Sequence, residues 1–116
     1  MKDLKKKIIP LNIPYLKGSE KKLVLNCLRT NWVSSVGPYV TKFENKFKKF
    51  IGKKYAVACS SGTSALHLAL LSLGIEEGDY MIVSNLTFIA SVNSIKYSKA
   101  SPILIDACKS SWQIDS

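Results

Sequence analysis

The chain carries a short hydroxyl-rich turn, Ser60-Ser61-Gly62-Thr63-Ser64, between two apolar runs. The run before it, Tyr55–Cys59, has the composition of a strand, and the run after it, Ala65–Leu71, has that of a helix. A strand that leads through small residues into a helix leaves unpaired backbone N–H groups at the positive end of the helix dipole. This arrangement favours phosphate binding, although the same residues before a helix also form an ordinary N-cap.

The turn lies in a segment where short apolar runs alternate with helical patterns. The predicted elements are strands at Tyr55–Cys59, Tyr80–Val83 and Pro102–Ile105 and helices at Thr63–Leu73 and Phe88–Tyr97. Alternation with short connections predicts parallel strands joined by helical crossovers, an α/β architecture. The carboxyl ends of parallel strands meet at one edge, so Ser60–Ser64, Ser84–Phe88 and Asp106 are expected to gather there.

The preceding residues have a helical pattern, which divides the chain into a helical segment at 1–54 and a βαβαβ unit at 55–116. Ser19 can cap a helix that runs to about Thr30. Pro38 suits the first turn of a second helix, which Gly52 ends. The apolar stripe of this second helix is interpreted as core rather than as a ligand site; it consists of Tyr39, Val40, Phe43, Phe47, Phe50 and Ile51.

Composition and charge favour a globular chain without nucleic-acid or membrane partners. With 47% hydrophobic and 22% charged residues, the 116 residues suit one small domain and contain no run long enough to span a membrane. The basic N-terminus is interrupted by prolines and does not resemble a secretory signal, so a cytoplasmic location is expected. The net charge of +9 is interpreted as a solvated surface, because the lysines are dispersed, from the run at residues 2–7 onward.

The cysteines and the end of the chain lead to two further expectations. Cys27, Cys59 and Cys108 lack the spacing of a disulfide framework or a metal site, so reduced core thiols and no metal are expected. A three-stranded parallel sheet would leave its outer strands unpaired, and the sequence stops at 112–116, where another element is expected. The chain is therefore expected to be truncated.

Taken in order, the motifs resemble the N-terminal part of the DegT/DnrJ/EryC1/StrS family of pyridoxal-phosphate-dependent sugar aminotransferases. The matching segments are 9–11, 13–14, 31–40, 43–44, 56–70, 78–79, 85–91, Asn93 and 102–106. The chain looks closest to enzymes that aminate nucleotide-linked 4-keto-6-deoxy sugars for surface polysaccharides. The resemblance implies a fold-type I, aspartate aminotransferase-like large domain, pyridoxal 5'-phosphate (PLP) as cofactor, glutamate as amino donor and a homodimer when complete.

The resemblance also assigns roles to residues of this chain. Gly62, Thr63 and Ser64 take the cofactor phosphate, and Phe88 stacks on the pyridine ring, with core packing as the alternative for Phe88. Ser34 and Ser35 become hydrogen-bond donors to the sugar nucleotide. Two further residues are given structural roles: His67 is interpreted as a packed core histidine and Asp106 as a strand end.

No catalytic residue is expected in the chain. In the family, the lysine that binds the cofactor covalently and the acidic partner of its pyridine nitrogen lie downstream of the matched region, so the chain alone is expected to be inactive. A self-standing phosphate- or nucleotide-binding module is the alternative, and a basic nucleic-acid-binding protein rests on charge only. A lysine motif encoded beyond Ser116 would favour the enzyme.

Overall fold

The computed structural model describes residues 9–115, so the basic run at residues 2–7 lies outside the described part. Its elements, in chain order, are α1 (Glu20–Arg29), α2 (Pro38–Phe50), α3 (Gly62–Ser72), β1 (Tyr80–Ser84), α4 (Ile89–Tyr97) and β2 (Ser101–Ile105). The chain divides into two units, Met1–Phe43 and Glu44–Ser116. All four predicted helices form, with ends within about two residues of the prediction.

In the first unit, α1 begins as predicted but without the predicted cap. Ser19 occupies the N-cap position with φ −91° and ψ 7°, and its side chain makes no capping hydrogen bond. Because this backbone is not extended, the hydroxyl is not presented to the first turn. The Glu20 carboxylate instead accepts a hydrogen bond from the N–H of Gly18 at 2.8 Å. The Tyr39 hydroxyl donates to the side-chain oxygen of Asn26 at 3.0 Å, which joins the start of α2 to α1.

The aromatic stripe of α2 is not core in the described chain. Phe50 is 87% exposed and Phe43 is 55% exposed, and α2 contributes no buried residue. The predicted burial is therefore wrong, because the buried residues collect in the second unit around β1 and α4. The predicted end of the helix is confirmed, since Gly52 follows α2 with φ +66°, a conformation that favours glycine.

The second unit contains a parallel two-stranded sheet. β1 and β2 pair from Tyr80 opposite Ser101 to Ser84 opposite Ile105, with α4 as the crossover between them. Helix α3 packs on α4. Parallel strands with a helical crossover are confirmed. The core consists of Val83, Ile95 and Ala100, with Leu70, Ile75, Met81 and Val92 packed against it.

The predicted first strand, Tyr55–Cys59, is wrong. These residues form neither helix nor strand, and the sheet of the described chain has two strands instead of three. A strand needs a neighbouring backbone for its N–H and C=O groups. Here the N–H of Ala58 donates to the carboxylate of Glu44 at 2.9 Å, so a side chain from α2 takes the place of a strand partner. The predicted βαβαβ unit is a βαβ unit preceded by α3.

Two further expectations concern the cysteines and the membrane. All three cysteines are free thiols, but Cys59 is exposed while Cys27 and Cys108 are half-buried. Their predicted place in the core is wrong, because Cys59 is exposed and neither half-buried cysteine belongs to the core cluster. Among residues 9–115, no helix combines the length and the apolar character needed to cross a membrane.

Candidate functional site

The start of α3 is capped by Ser61. This residue is extended, with φ −155° and ψ 162°, and its side chain accepts a hydrogen bond from the N–H of Ser64 at 3.2 Å. The two serine hydroxyls lie 3.0 Å apart, and the N–H of Ala65 donates to the Ser61 carbonyl at 3.1 Å. Ser61 is thus the N-cap that the pattern allowed, and the capping function does not fall on Thr63.

Capping by Ser61 leaves donors of the turn available. Among the described residues, no hydrogen bond is formed by the N–H groups of Gly62 and Thr63 or by the Thr63 hydroxyl. A Cβ added to Gly62 would meet no atom within 4 Å, so a ligand can approach the backbone there. The first turn of α3 contains no acidic residue. Two N–H donors and a hydroxyl at the positive end of a helix dipole fit a phosphate group.

A cavity of about 270 Å³ lies beside this turn; it is lined by Thr63, Ser64, His67, Leu68, Leu71 and Tyr97. His67 packs edge-to-face against Tyr97, with ring centroids 5.7 Å apart. Its Nε2 atom is buried and has no hydrogen-bond partner among the described residues. His67 is therefore packed against an aromatic ring, but it lies outside the core cluster of the described chain, so the prediction of a core histidine is only partly confirmed.

At the carboxyl edge of the sheet, two of the three predicted loops meet. The N–H of Asn85 donates to the carbonyl of Ile105 at 2.9 Å, which extends the strand pairing by one residue. The Asn85 side-chain amide then donates to Oδ1 of Asp106. The loop after β1 and the end of β2 are joined here, as predicted. No hydrogen bond in the described chain connects the third loop, Ser60–Ser64, to this pair.

Phe88 occupies the N-cap position of α4 and faces solvent. Its backbone is extended, with φ −70° and ψ 137°, and its side chain is 78% exposed. The alternative of core packing is therefore wrong for the described chain. The residues on either side are tied together, because the hydroxyls of Thr87 and Ser91 lie 3.1 Å apart and the N–H of Ser91 donates to the Phe88 carbonyl at 3.0 Å. An exposed ring on an ordered turn is available to a flat ligand.

The predicted substrate residues lie in the first unit, in the connection between α1 and α2. The Ser34 hydroxyl accepts a hydrogen bond from the N–H of Val36 at 3.3 Å, and both Ser34 and Ser35 are exposed. Gly37 has φ +154°, and a Cβ there would lie 3.2 Å from the Trp32 ring. The tryptophan thus packs on glycine backbone in this connection. The role of the two serines in substrate binding stays a prediction.

One chemically distinctive residue was missed by the sequence reasoning. The hydroxyl of Ser110, 3.2 Å from the Cys108 sulfur, and the backbone of Ser111 lower the pKa of the Cys108 thiol from 9.0 to about 6. A negative sulfur is stabilised by such donors. The signal was present in the sequence, where two serines follow the cysteine at the second and third positions.

Sequence similarity identifies the family of the chain. The chain belongs to the DegT/DnrJ/EryC1/StrS aminotransferase family, whose model matches residues 14–116. It is 54% identical over 108 residues to a GDP-perosamine synthase of Escherichia coli O157:H7, a match that covers 93% of this chain and 30% of that protein. It is 46% identical over 107 residues to a GDP-perosamine synthase of Caulobacter vibrioides, covering 92% and 29%.

Structural comparison gives the same result. A protein described as a sugar aminotransferase, Spr1654 of Streptococcus pneumoniae in its PLP form, superposes with a TM-score of 0.78 at 28% identity, covering 92% of this chain and 27% of its own. The predicted fold-type I architecture and the predicted family are thereby confirmed, and PLP is the cofactor of such relatives. The chain spans about 30% of the length of the relatives it matches.

Proposed function

We propose that the complete protein containing this chain is a PLP-dependent aminotransferase that acts on a GDP-linked 4-keto-6-deoxy sugar. The observation that carries the proposal is the start of α3, where Gly62 and Thr63 present unpartnered donors to an anion beside a capping Ser61. The 54% identical relative is named a GDP-perosamine synthase, which supports the class of substrate.

The described residues would divide the binding of the cofactor between two helix starts. The N–H groups of Gly62 and Thr63 and the Thr63 hydroxyl would donate to the phosphate, while the Ser64 N–H is already engaged by Ser61. Ser64 would then contribute its hydroxyl, which can donate to the phosphate while it accepts from the Ser61 hydroxyl 3.0 Å away. The exposed ring of Phe88 would cover one face of the pyridine ring, which fixes the plane of the ring and excludes water from that face. PLP, when bound, supplies the carrier for the amino group.

Further parts of the proposal follow from the resemblance. Glutamate would be the amino donor, Ser34 and Ser35 would donate hydrogen bonds to the sugar nucleotide, and the complete enzyme would be a homodimer. The enzyme would act in the cytoplasm, and its product would be used in the synthesis of a surface polysaccharide. This chain by itself would not catalyse the transfer, because the resemblance places the lysine that binds the cofactor downstream of the matched region.

The proposal is tested with a hybrid protein in which this chain replaces the matching residues of the E. coli relative. We expect the hybrid to bind PLP and, with glutamate and a GDP-linked 4-keto-6-deoxy sugar, to yield an aminated sugar nucleotide and 2-oxoglutarate. Mass spectrometry of the sugar nucleotide detects the product. A folded hybrid that binds PLP but forms no aminated sugar with any GDP-linked keto-sugar would contradict the proposed substrate.

The alternative is a self-standing phosphate-binding module. Exposure of large apolar residues such as Leu68, Ile82 and Leu104 argues against it, because one small domain rarely leaves so much apolar surface uncovered. We expect the isolated chain to associate with itself in sedimentation experiments. A monodisperse monomer with a sharp thermal transition and affinity for inorganic phosphate would favour the module instead.

A further inference from the structure

The Asn85–Asp106 pair is not used by the function proposed above. It lies where the chain leaves β1, and it joins two loops that are 21 residues apart in sequence. Both residues are exposed, so the bond is not a requirement of the small core, which consists of Val83, Ile95 and Ala100. An exposed side-chain hydrogen bond that supports no core residue suggests a role other than stabilising the core.

The pair is one of several side-chain hydrogen bonds that order the loop between β1 and α4. The Ser84 hydroxyl accepts from the N–H of Leu86 at 3.2 Å and lies 3.3 Å from its carbonyl oxygen. Thr87 contacts Ser91 at the start of α4. These contacts act within the loop and its own helix. The side-chain bond to Asp106 adds a second link to the end of β2, beside the backbone bond from the Asn85 N–H to the Ile105 carbonyl at 2.9 Å.

Asp106 is itself held in place from the other side. Its carbonyl accepts a hydrogen bond from the N–H of Asp115 at 2.8 Å, and Ala107 pairs with Ile114 in an antiparallel bridge. The carboxylate is thus presented from a backbone with partners on both sides. Asn85 lies three residues before Phe88, so a fixed Asn85 limits where the Phe88 ring can lie.

We propose that Asn85 and Asp106 are positioning residues for Phe88: their side-chain hydrogen bond holds the loop that presents the Phe88 ring to the cofactor. The inference rests on the proposed function, because it assumes that Phe88 covers the ring of PLP. On this proposal, the two residues would act on the cofactor through Phe88.

The experiment uses the hybrid protein and exchanges the two side chains. Asn85→Asp places two carboxylates side by side, Asp106→Asn leaves two amides that can still pair, and the double exchange restores an amide and a carboxylate in reversed order. Asn85→Ala removes the bond without adding charge and serves if Asn85→Asp does not fold. The readouts are the dissociation constant of PLP, the circular dichroism of bound PLP and the unfolding midpoint.

We expect Asn85→Asp to weaken PLP binding by roughly threefold to tenfold, a loss no larger than that of removing the Phe88 ring. Circular dichroism of the bound PLP should change with it. Asp106→Asn should change the dissociation constant by less than about twofold, and the double exchange should return affinity to within about twofold of the unsubstituted hybrid. In a Phe88→Ala background, Asn85→Asp should cause no further loss.

The matched control is Asp79→Asn. Its carboxylate also accepts a side-chain hydrogen bond, from the N–H of Glu76 at 2.9 Å in the same turn, but it lies before β1 at the opposite end of the strand. We expect no change in PLP affinity for this variant.

Failure of the proposed function and failure of the inference alone give different results. A folded, unsubstituted hybrid that does not bind PLP overturns the proposed function and with it the inference. Normal PLP binding that Asn85→Asp and Asn85→Ala leave unchanged overturns the inference alone. An equal effect of Asn85→Asp with and without the Phe88 ring would also overturn it, because the pair would then act on PLP by another route.

Discussion

The starts of α3 and α4 are both helix N-termini, and they differ in what they present to a ligand. At α3 the side chain of Ser61 caps the helix, and the N–H groups of Gly62 and Thr63 stay available. At α4 the N-cap residue is Phe88, whose side chain cannot accept a hydrogen bond, and an exposed ring stands at the helix start. The first arrangement suits an anion and the second suits a flat apolar face.

This difference shows that a cap and a ligand site are separable functions of one turn. Ser61 stabilises α3 through Ser64, and it does so without consuming the two N–H groups nearest the helix start. Substitutions of the capping residue and of the ligand-binding residues should therefore change different measured quantities. Those at Thr63 and Phe88 should affect the binding of PLP, and those at Ser61 should affect the helix.

The largest effect is expected for Thr63→Ala in the hybrid protein. Loss of a hydrogen bond to a charged phosphate costs about 1.5–3 kcal/mol, so PLP affinity should fall roughly tenfold to a hundredfold. Stability should change less, because the Thr63 hydroxyl has no partner among the described residues. The dissociation constant of PLP and the unfolding midpoint are measured on the same variant. Unchanged affinity would remove Thr63 from the phosphate site.

Phe88→Ala should weaken PLP binding next most strongly. A stacked aromatic contact contributes about 0.5–1.5 kcal/mol beyond the area it buries, so a loss of roughly tenfold is expected. Because the ring is 78% exposed in this chain, its removal opens no cavity there. Equilibrium dialysis of PLP checks the affinity, with Phe88→Tyr as the control that keeps the stacking face. An equal loss in both variants would argue against stacking.

Ser61→Ala should lower the stability of α3 more than it lowers the affinity for PLP. Removing an N-cap oxygen costs about 1 kcal/mol, and the N–H of Ser64 would lose its acceptor. Hydrogen exchange at the amides of the first turn of α3 should accelerate roughly fivefold. Ser72→Ala, which removes a hydroxyl at the other end of α3, is the matched control. A larger effect on PLP affinity than on exchange would mean that capping and binding are not separate.

Gly62→Ala should have the smallest effect on folding. The added methyl meets no atom within 4 Å, and alanine favours a helix over glycine by about 0.5–1 kcal/mol. Exchange at the start of α3 should therefore slow slightly or stay unchanged. A loss of PLP affinity in this more stable variant would show that the absence of a side chain at Gly62 serves the ligand. Unchanged affinity would leave Gly62 with no role beyond its N–H.

Local pattern was enough to predict much of this protein. The helices follow from three- and four-residue spacing, and the positive φ angles of Gly52 and Gly74 match the predicted helix ends. The parallel arrangement of β1 and β2 follows from their separation by one helix. The turn at Ser60–Ser64 and its place before a helix were also readable, because capping depends on neighbours within a few residues.

The features that the sequence could not determine depend on contacts between residues that are far apart along the chain. The extended run Tyr55–Cys59 had the right composition for a strand, but only the tertiary structure shows that Ala58 bonds to Glu44 and not to a strand. The stripe on α2 had the right spacing for a core, yet only the tertiary structure shows that Phe43, Phe47 and Phe50 stay exposed. That Asn85 meets Asp106, 21 residues further on, is likewise decided by the folded backbone. The cap of α3 is local, but which of its hydroxyls caps the helix also depends on the direction and distance of the hydrogen bond, which residue types leave open.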